Sequence, residues 1–246
     1  MDNLNYIDHY KKDAVEFDYF EESRGATAHD ERRVHEYIIS KLPRNINTIL
    51  DVGCGKGWVA EHFLPKGVKV HSLDVSTSNP VRAKELYPSE DHTGIAADSF
   101  SLPFLNDSFD VVIASEIIEH VVDPAKFVKE LSRVVKKGGR LLVTTPYKEK
   151  LIYYLCVHCN KRTPANAHIH SFDEKKLESY YNGEDLEEFE YEIFGNKLLI
   201  FLRTYVILQF FPFWLWKMKD KFANLFFRKP IHIICVYKKK TKNYNN

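Results

Sequence analysis

The stretch Thr48-Ile-Leu-Asp51-Val-Gly53-Cys-Gly55-Lys-Gly57 separates a helical N-terminal part from a region in which strands and helices alternate. Its apolar first half, Thr48–Val52, has the length of a buried strand. Its second half places glycine at alternate positions, where the backbone can adopt positive φ and approach a ligand closely. Trp58–Leu64 then has a helical pattern. The stretch therefore predicts a strand, a glycine turn and a helix.

More apolar runs follow at strand–helix spacing. They predict strands at Val68–Leu73, Thr93–Ala97, Phe109–Ala114 and Arg140–Thr145, with a helix at Lys126–Lys136 that Gly138-Gly139 caps. Strands that are apolar almost throughout, joined by helices, are typical of a parallel sheet covered on both faces. The fold class is therefore α/β.

Helices and strands are also predicted before the first strand and after the fifth strand, where strands and helices no longer alternate regularly. A helix at Asp30–Leu42 precedes the sheet and ends at Pro43. After the fifth strand we expect a short helix near Lys150–Val157 and a helix that runs from the capping box Ser171-x-x-Glu174 to about Tyr181. Glu187–Phe194 and Ile231–Tyr237 are predicted as the sixth and seventh strands.

Composition excludes several classes of protein. Of 246 residues, 44% are hydrophobic and 28% charged, which is typical of a globular domain and excludes a disordered or collagen-like chain. The net charge of +1 does not favour a nucleic-acid partner. Four scattered cysteines and a polar start, Met1–Tyr10, predict a reducing, cytoplasmic setting without a signal peptide.

Acidic and hydroxyl side chains recur where predicted strands end. Asp51, Asp74, Asp98 and Ser115-Glu116 all fall at or near carboxyl ends, where α/β sheets bind ligands. Trp58 stands where the dinucleotide fingerprint requires its third glycine, so that fingerprint fails. Asp74 is placed for ribose hydroxyls and Asp98 for an exocyclic amine. These features favour a nucleoside ligand over a dinucleotide.

Four segments in order carry a resemblance to a known family. Ile49–Gly57 resembles motif I of the class I S-adenosylmethionine-dependent methyltransferases. Leu102–Val112 resembles the family's approach to its fourth strand. Glu116–Pro124 and Lys137–Leu142 resemble the ubiquinone-biosynthesis-like branch, known as methyltransferase type 11.

The resemblance implies a fold and a cofactor. The fold would be a Rossmann-like, doubly wound sheet of seven mostly parallel strands with an antiparallel last strand. One domain would comprise an N-terminal helical cap (1–43), a cofactor-binding core (44–197), an apolar helical insertion (198–230), and the last strand with a basic tail (231–246). S-adenosylmethionine would be bound by Asp51, Gly53, Gly55, Gly57, Asp74, Asp98, Ser99 and Ser115. The N-terminal aromatics, notably Tyr6, Tyr10, Tyr19 and Phe20, are candidates to close over it.

A second constellation predicts the chemistry of transfer. Glu116, Glu119 and His120 stand at i, i+3 and i+4, and would share one face of a helical turn. The pattern resembles the metal-binding Glu-x-x-Glu-His of O-methyltransferases, in which a later histidine completes the site. We assign the metal ligands to Glu116, Glu119, His120 and His170, with His168 as the other histidine candidate, and the metal to Mg²⁺, Mn²⁺ or Zn²⁺. Without a metal, His120 would act as a base supported by Glu119, or would only pack.

Cys156-x-x-Cys159, with His158, His168 and His170 nearby, offers a competing zinc site. The simpler alternative is a half-buried loop with two incidental thiols.

The segment 198–221 consists of an aromatic run, Leu198–Trp216, followed by Lys217, Lys219 and Lys221. Its arginine and proline disfavour a membrane-spanning helix. Peripheral membrane contact, a substrate-pocket wall, a homodimer surface and a helix packed on the sheet all remain open.

The sequence thus predicts an O-methyltransferase that acts on a small phenolic, saccharide or lipid-linked molecule. The alternatives are an RNA 2′-O-methyltransferase and a non-catalytic cofactor-binding protein.

Overall fold

The computed structural model describes residues 6–181 and 185–241. The first five residues of the predicted N-terminal cap and the last five of the predicted basic tail lie outside the described residues.

Seven strands form one sheet, and two more form a small hairpin. The strands are β1 (Thr48–Val52), β2 (Lys69–Asp74), β3 (His92–Ala96), β4 (Phe109–Ser115), β5 (Val135–Pro146), β6 (Tyr153–Leu155), β7 (Arg162–Pro164), β8 (Leu186–Asn196) and β9 (Pro230–Lys239). The large sheet has the order β3-β2-β1-β4-β5-β9-β8. Strands β1 to β5 pair in parallel, and β9 is antiparallel to both β5 and β8. The predicted α/β sheet with an antiparallel last strand is confirmed.

The strand order reverses beside β1, because β2 lies on one side of β1 and β4 on the other. In open α/β sheets ligands bind in the crevice at this reversal, outside the carboxyl ends of the strands. The topology therefore predicts a ligand site at the turns that follow β1, β2 and β4.

Helices cover both faces of the sheet. They are α1 (Tyr6–Glu16), α2 (Gly25–Ser40), α3 (Trp58–Phe63), α4 (Ser78–Leu86), α5 (Pro124–Val134), α6 (Glu174–Glu178), α7 (Lys197–Phe201), α8 (Tyr205–Leu208) and α9 (Phe213–Phe226). Side chains alternate between faces along each strand. Leu50 of β1 joins the cluster that contains Phe127 of α5, and Ile49 joins the cluster that contains Tyr37 of α2. The sheet thus has an apolar layer on each side.

The glycine pair at Gly138-Gly139 lies inside β5 and does not cap a helix, so that prediction is wrong. Helix α5 ends at Val134 and β5 begins at the next residue. Phe109 of β4 pairs with Val135, whereas Val111 pairs with Arg140, so the glycines form a bulge in β5. A β-carbon on Gly139 would lie 2.7 Å from the carbonyl oxygen of Asp110. Pairing with β4 overrides the helical pattern here.

Two further local predictions are wrong. The predicted helix near Lys150–Val157 is replaced by the β6–β7 hairpin, in which Tyr154 pairs with Thr163. Its Tyr-Tyr-Leu run favours strand over helix. Helix α6 is capped by Asp173, whose side chain accepts from the amide of Lys176 at 2.9 Å, and not by Ser171. Helix α4 was absent from the sequence prediction.

Helices α7, α8 and α9 join β8 to β9. We call residues 197–229 the three-helix segment. Within residues 6–181 and 185–241, no helix has both the length and the apolarity needed to cross a bilayer.

We expect Phe127→Ala to destabilise the protein by about 3–5 kcal/mol, because the side chain is fully buried beneath the sheet. Chemical denaturation monitored by circular dichroism measures this change. Lys129→Ala, on the exposed side of the same helix, is the matched control and should lie within about 0.5 kcal/mol of the wild type.

Candidate functional site

The glycine turn after β1 is fixed to the neighbouring strand. The amides of Gly53 and Cys54 both donate to the carbonyl oxygen of Leu73, at 2.8 and 3.0 Å. Gly53, Gly55 and Gly57 have φ of 71°, 46° and 76°, the left-handed region that favours glycine. A β-carbon on Gly55 would meet no atom within 4 Å, so this part of the turn faces open space. The turn therefore presents bare backbone to the crevice.

Asp51 is a buried carboxyl without a complete set of partners. Its side chain is 1% exposed, and its Oδ2 atom has no hydrogen-bond partner among the described residues. Burial, with a smaller contribution from Asp74, raises its pKa to about 8. An unsatisfied buried polar group is unfavourable. A ligand that donates a hydrogen bond or carries positive charge would relieve it.

Asp74 and Asp98 lie at or just past the carboxyl ends of β2 and β3. Asp74 ends β2 and accepts hydrogen bonds from the amide of Ser76 at 2.9 Å and from Asn79 Nδ2 at 3.1 Å. Burial nevertheless raises its pKa. Asp98 lies just past β3 and accepts from the amide of Phe100 at 2.9 Å, which places Ser99 within the same short turn. The structure brings these predicted residues to one edge of the sheet.

The N-terminal residues cover this edge. The hydroxyl of Tyr6 donates to Asp98 Oδ2 at 2.7 Å, and the ring of Tyr10 lies 5.8 Å from that of His120. Tyr19 donates to Asp13, and the charge of Asp74 contributes to raising the Tyr19 pKa, after burial and Asp13. Tyr6 and Tyr10 therefore contact residues at the carboxyl edge, whereas Phe20 packs against Arg82 of α4.

The turn after β4 is not the helical turn that the spacing predicted. Ser115 Oγ lies 3.1 Å from Thr144 Oγ1, and Glu116 has φ of 55°. The amide of Glu116 donates to the carbonyl of Thr144 at 3.1 Å, which holds the chain in this conformation. With Glu116 in this left-handed conformation, its carboxylate is not part of the candidate ligand group that contains Glu119 and His120.

Glu119 and His120 instead meet His168, from the loop after the β6–β7 hairpin. One ligand atom from each of the three side chains lies within 4.8 Å of the other two. Glu119 is 1% exposed and accepts from Thr145 Oγ1 at 3.0 Å. Burial, together with the charge of Glu116, raises the Glu119 pKa well above its usual range. The group lies where the turns after β4 and β5 converge.

The two histidines of this group are held in defined orientations. His120 Nδ1 lies 3.3 Å from the carbonyl oxygen of Ala167, so the ring can donate there and keep Nε2 free. Burial, followed by the charge of His168, lowers the His120 pKa to about 4. His168 Nδ1 lies 2.5 Å from Glu149 Oε2. A carboxylate behind a histidine is the arrangement that orients imidazole ligands in metal sites.

The other two predicted ligands lie outside this group. Glu116 turns toward His232, and its Oε2 lies 3.3 Å from His232 Nδ1. The ring of His170 packs 5.9 Å from that of Phe172. The loop that carries both histidines therefore presents His168, and not His170, to Glu119.

Sequence analysis missed His232, which sits near the start of β9. Its Nε2 lies 2.8 Å from Asp30 Oδ2 of α2, and its Nδ1 faces Glu116. Burial alone would lower its pKa, but Glu116 and Asp30 together raise the pKa to about 10. His232 is therefore an imidazolium at neutral pH. A lone histidine in an otherwise apolar strand is the signal that could have identified it.

Cys156 and Cys159 lie at the tip of the β6–β7 hairpin and are free thiols. His168 belongs to the group with Glu119 and His120. Over residues 6–181 and 185–241, no histidine, cysteine or carboxylate joins the two thiols in a set of three candidate ligands. The competing zinc site is left with two of its four ligands.

Comparisons with known proteins identify relatives of this chain. A family model described as "Methyltransferase domain" matches residues 50–143. A ubiquinone biosynthesis O-methyltransferase of Rickettsia prowazekii is 32% identical over 177 residues, which cover 68% of this chain and 69% of the relative. A ubiquinone biosynthesis O-methyltransferase of Ralstonia nicotianae is 33% identical over 127 residues, which cover 50% of this chain and 52% of the relative.

A solved structure has the same fold. The phosphoethanolamine N-methyltransferase 2 of Haemonchus contortus, in complex with S-adenosylmethionine, superposes with a TM-score of 0.64 at 15% identity. The match covers 98% of this chain and 61% of that one. Against several other curated relatives the chain spans about half of their length or less: 44%, 52% and 39%.

We expect His232→Gln to destabilise the protein by about 3 kcal/mol at pH 6, because it removes the cation between two carboxylates. The folded-state pKa is raised, to about 10, above the usual value of 6.5. The stabilisation by His232 is therefore complete below about pH 6.5 and is lost as the pH rises toward 10.

Urea denaturation of both proteins between pH 6 and 10 tests this expectation. The difference in unfolding free energy should shrink as pH rises. His158→Gln, which changes an exposed histidine, is the control and should show no pH-dependent difference. A difference for His232→Gln that stays constant across this range would contradict the buried imidazolium.

Proposed function

Because the chain belongs to the class I S-adenosylmethionine-dependent methyltransferases, we propose that it transfers the methyl group of S-adenosylmethionine to a hydroxyl oxygen of a small molecule. The observation that carries the proposal is the convergence of Glu119, His120 and His168, on the turn whose Ile117 side chain packs against Gly53. The two relatives named as ubiquinone biosynthesis O-methyltransferases support oxygen as the acceptor.

The residues at the sheet edge fit this cofactor. Open space beside Gly55 leaves room for a ligand against bare backbone. The unpartnered Oδ2 of Asp51 suits the amino group of the methionine part, directly or through water. Asp74, fixed by Ser76 and Asn79, would accept from the ribose hydroxyls, and Asp98 would accept from the adenine amine. The bound cofactor supplies an activated methyl group.

The chain's own part in the reaction is orientation, desolvation and proton removal. The bound cofactor would supply the methyl group to the acceptor oxygen, and the electron pair of the carbon–sulfur bond would stay on its sulfur. The hydroxyl proton would go to His120 Nε2, because Nδ1 faces the carbonyl oxygen of Ala167 at 3.3 Å. Tyr6 and Tyr10, which contact Asp98 and His120, would help to exclude water from the crevice.

The same three side chains also fit a divalent cation. Glu119, His120 and His168 offer one carboxylate and two imidazoles, a donor set suited to Zn²⁺, Mn²⁺ or Fe²⁺. Glu149 behind His168 would orient that ligand. The cation would lower the pKa of the acceptor hydroxyl. In this version of the proposal, His120 is a ligand and not the base.

The two rival functions have less support. For an RNA 2′-O-methyltransferase, neither the net charge of +1 nor the two relatives named for ubiquinone biosynthesis gives support. A non-catalytic cofactor-binding protein would have no use for the oriented pair His120 and His168. We place the activity in a reducing, cytoplasmic compartment, which suits four free thiols.

We expect Asp74→Asn to weaken S-adenosylmethionine binding by about tenfold or more, because it removes a charged acceptor for the ribose hydroxyls. Isothermal titration calorimetry measures the dissociation constant directly. Glu90→Gln, which changes an exposed carboxylate near β3, is the matched control and should bind like the wild type. Equal affinities for wild type and Asp74→Asn would remove Asp74 from the cofactor site.

We expect His120→Ala to bind S-adenosylmethionine normally but to lower turnover by about 10²–10⁴-fold, as the loss of a general base does. The assay follows S-adenosylhomocysteine formation with fractionated cell extract as acceptor. Nuclease treatment of the extract separates RNA from small-molecule acceptors. His158→Ala should behave like the wild type, and full turnover in His120→Ala would contradict the assignment.

A cation is tested separately by native mass spectrometry and chelation. If a cation participates, His168→Ala loses the bound metal, and turnover of the wild type falls with EDTA and returns with added Mn²⁺ or Zn²⁺. If His120 acts alone, EDTA has no effect and His168→Ala retains most of the turnover.

A further inference from the structure

The three-helix segment exposes an unusual amount of apolar surface. The described residues include 23 large hydrophobic side chains that are exposed, and 11 of them lie in this segment of 33 residues. Phe201 is 82% exposed, Phe210 80%, Trp214 68% and Leu225 76%. Contiguous apolar surface of this kind marks an interaction site.

Helix α9 shows how the segment separates its two sides. Trp216 and Asp220, four residues apart, are buried against the domain. Trp214, Met218 and Phe222 follow the same spacing on the opposite side and are all more than half exposed. The rings of Phe222 and Phe226 lie 4.9 Å apart. The helix therefore has one face packed on the domain and one apolar face without a described partner.

The inner face is held firmly, so the exposure is not a result of loose packing. Arg33 of α2 donates to the carbonyls of Leu208 and Phe211 at 2.8 and 3.3 Å. Asp220 Oδ2 accepts from the amide of Gly195 at 3.1 Å, and the side chain of Asn196 donates to the carbonyl of Phe227 at 2.7 Å. The outer face is thus presented by a fixed scaffold.

Charge identifies the surface that this face fits. The three-helix segment contains seven lysines and arginines and one acidic residue, Asp220, which is buried. Arg203, Lys219, Arg228 and Lys229 are exposed and form no ion pair with residues of the described ranges. Aromatic side chains flanked by cations are typical of helices that lie in the interface of an anionic bilayer. A second copy would bring the same excess of positive charge against this face, which disfavours self-association.

The segment also lies close to the candidate site. Tyr205 lies 4.0 Å from the position of a β-carbon on Gly25, where α2 begins. The ring of His29 lies 6.1 Å from that of Trp216. The next residue, Asp30, contacts His232, which faces Glu116 at the end of β4. The inner face of the segment is therefore linked through α2 and His232 to the turn after β4, one of the turns at the crevice.

We propose that the outer face of the three-helix segment docks on an anionic lipid bilayer and presents the crevice to an acceptor hydroxyl carried by a membrane-resident molecule. The proposed docking is supported by the exposed apolar side chains and the cations of the segment. The choice of acceptor rests on the proposed function. The segment lies in the interface and does not cross the bilayer.

Co-sedimentation of the full chain with vesicles tests the docking. Vesicles of phosphatidylcholine with about 30 mol% phosphatidylglycerol should bind the protein, and phosphatidylcholine alone should bind it at least about tenfold more weakly. Raising the salt from about 0.1 to about 0.5 M should weaken binding to the anionic vesicles. Equal binding to both vesicle types, or none to either, would overturn the proposal.

Matched variants locate the surface. Phe210→Ser/Trp214→Ser should lower the partition coefficient for anionic vesicles by at least about tenfold. Leu105→Ser/Val157→Ser changes side chains that are 84% and 99% exposed outside the segment, and should bind vesicles like the wild type. A similar loss in both double variants, or in neither, would contradict the proposed face.

Two further readouts exclude other partners. Sedimentation equilibrium that shows a dimer broken by Phe210→Ser/Trp214→Ser would assign the face to self-association and overturn lipid docking. Stronger binding of a fluorescent single-stranded RNA than of anionic vesicles would do the same. Calorimetric S-adenosylmethionine affinity, measured on the same samples, reports on the proposed function independently. Normal affinity without vesicle binding would refute the docking alone.

Discussion

The charged contact at His232 connects the parts of the molecule that build the site. The imidazolium lies between Asp30 of α2 and Glu116 of the turn after β4, and its own strand, β9, pairs with both β5 and β8. Without this cation, two carboxylates would face each other across a space that is largely shielded from water. His232 thereby links α2 to the turn after β4, where the Thr144 carbonyl also accepts from the amide of Glu116. The contact thus joins the three-helix side of the domain to its crevice.

Two groups of candidate site residues lie at different positions along the carboxyl edge of the sheet. On the β1–β3 side, short turns fixed by backbone hydrogen bonds hold Asp51, Asp74 and Asp98 around an open space next to Gly55. On the β4–β5 side, Glu119 and His120 meet His168 from a long loop. The regular strand–turn scaffold holds the residues proposed to bind the cofactor. The loops of irregular length carry the residues proposed to meet the acceptor.

How much could be predicted follows from the range of the interactions involved. The strands and the glycine turn are local patterns, and their residues were identified from spacing alone. The bulge at Gly138-Gly139 and the β6–β7 hairpin depend on pairing with other strands, so helical spacing misled the prediction there. The candidate ligands also differ in whether sequence spacing or tertiary packing brings them together. Glu119 and His120 are adjacent in sequence, whereas the choice of His168 over His170 depends on how a long loop packs against Glu119.

The distribution of charge has a consequence for how the molecule moves before it touches anything. The chain as a whole carries +1, but the three-helix segment carries six more positive than negative groups, so the remaining residues carry a net charge of −5. An excess of positive charge on one part of the chain and of negative charge on the rest gives the molecule an electric dipole moment. In the field near a negatively charged surface, such a body experiences a torque as well as an attraction. The molecule would rotate during diffusion so that its aromatic side leads, and encounters would begin in the productive orientation.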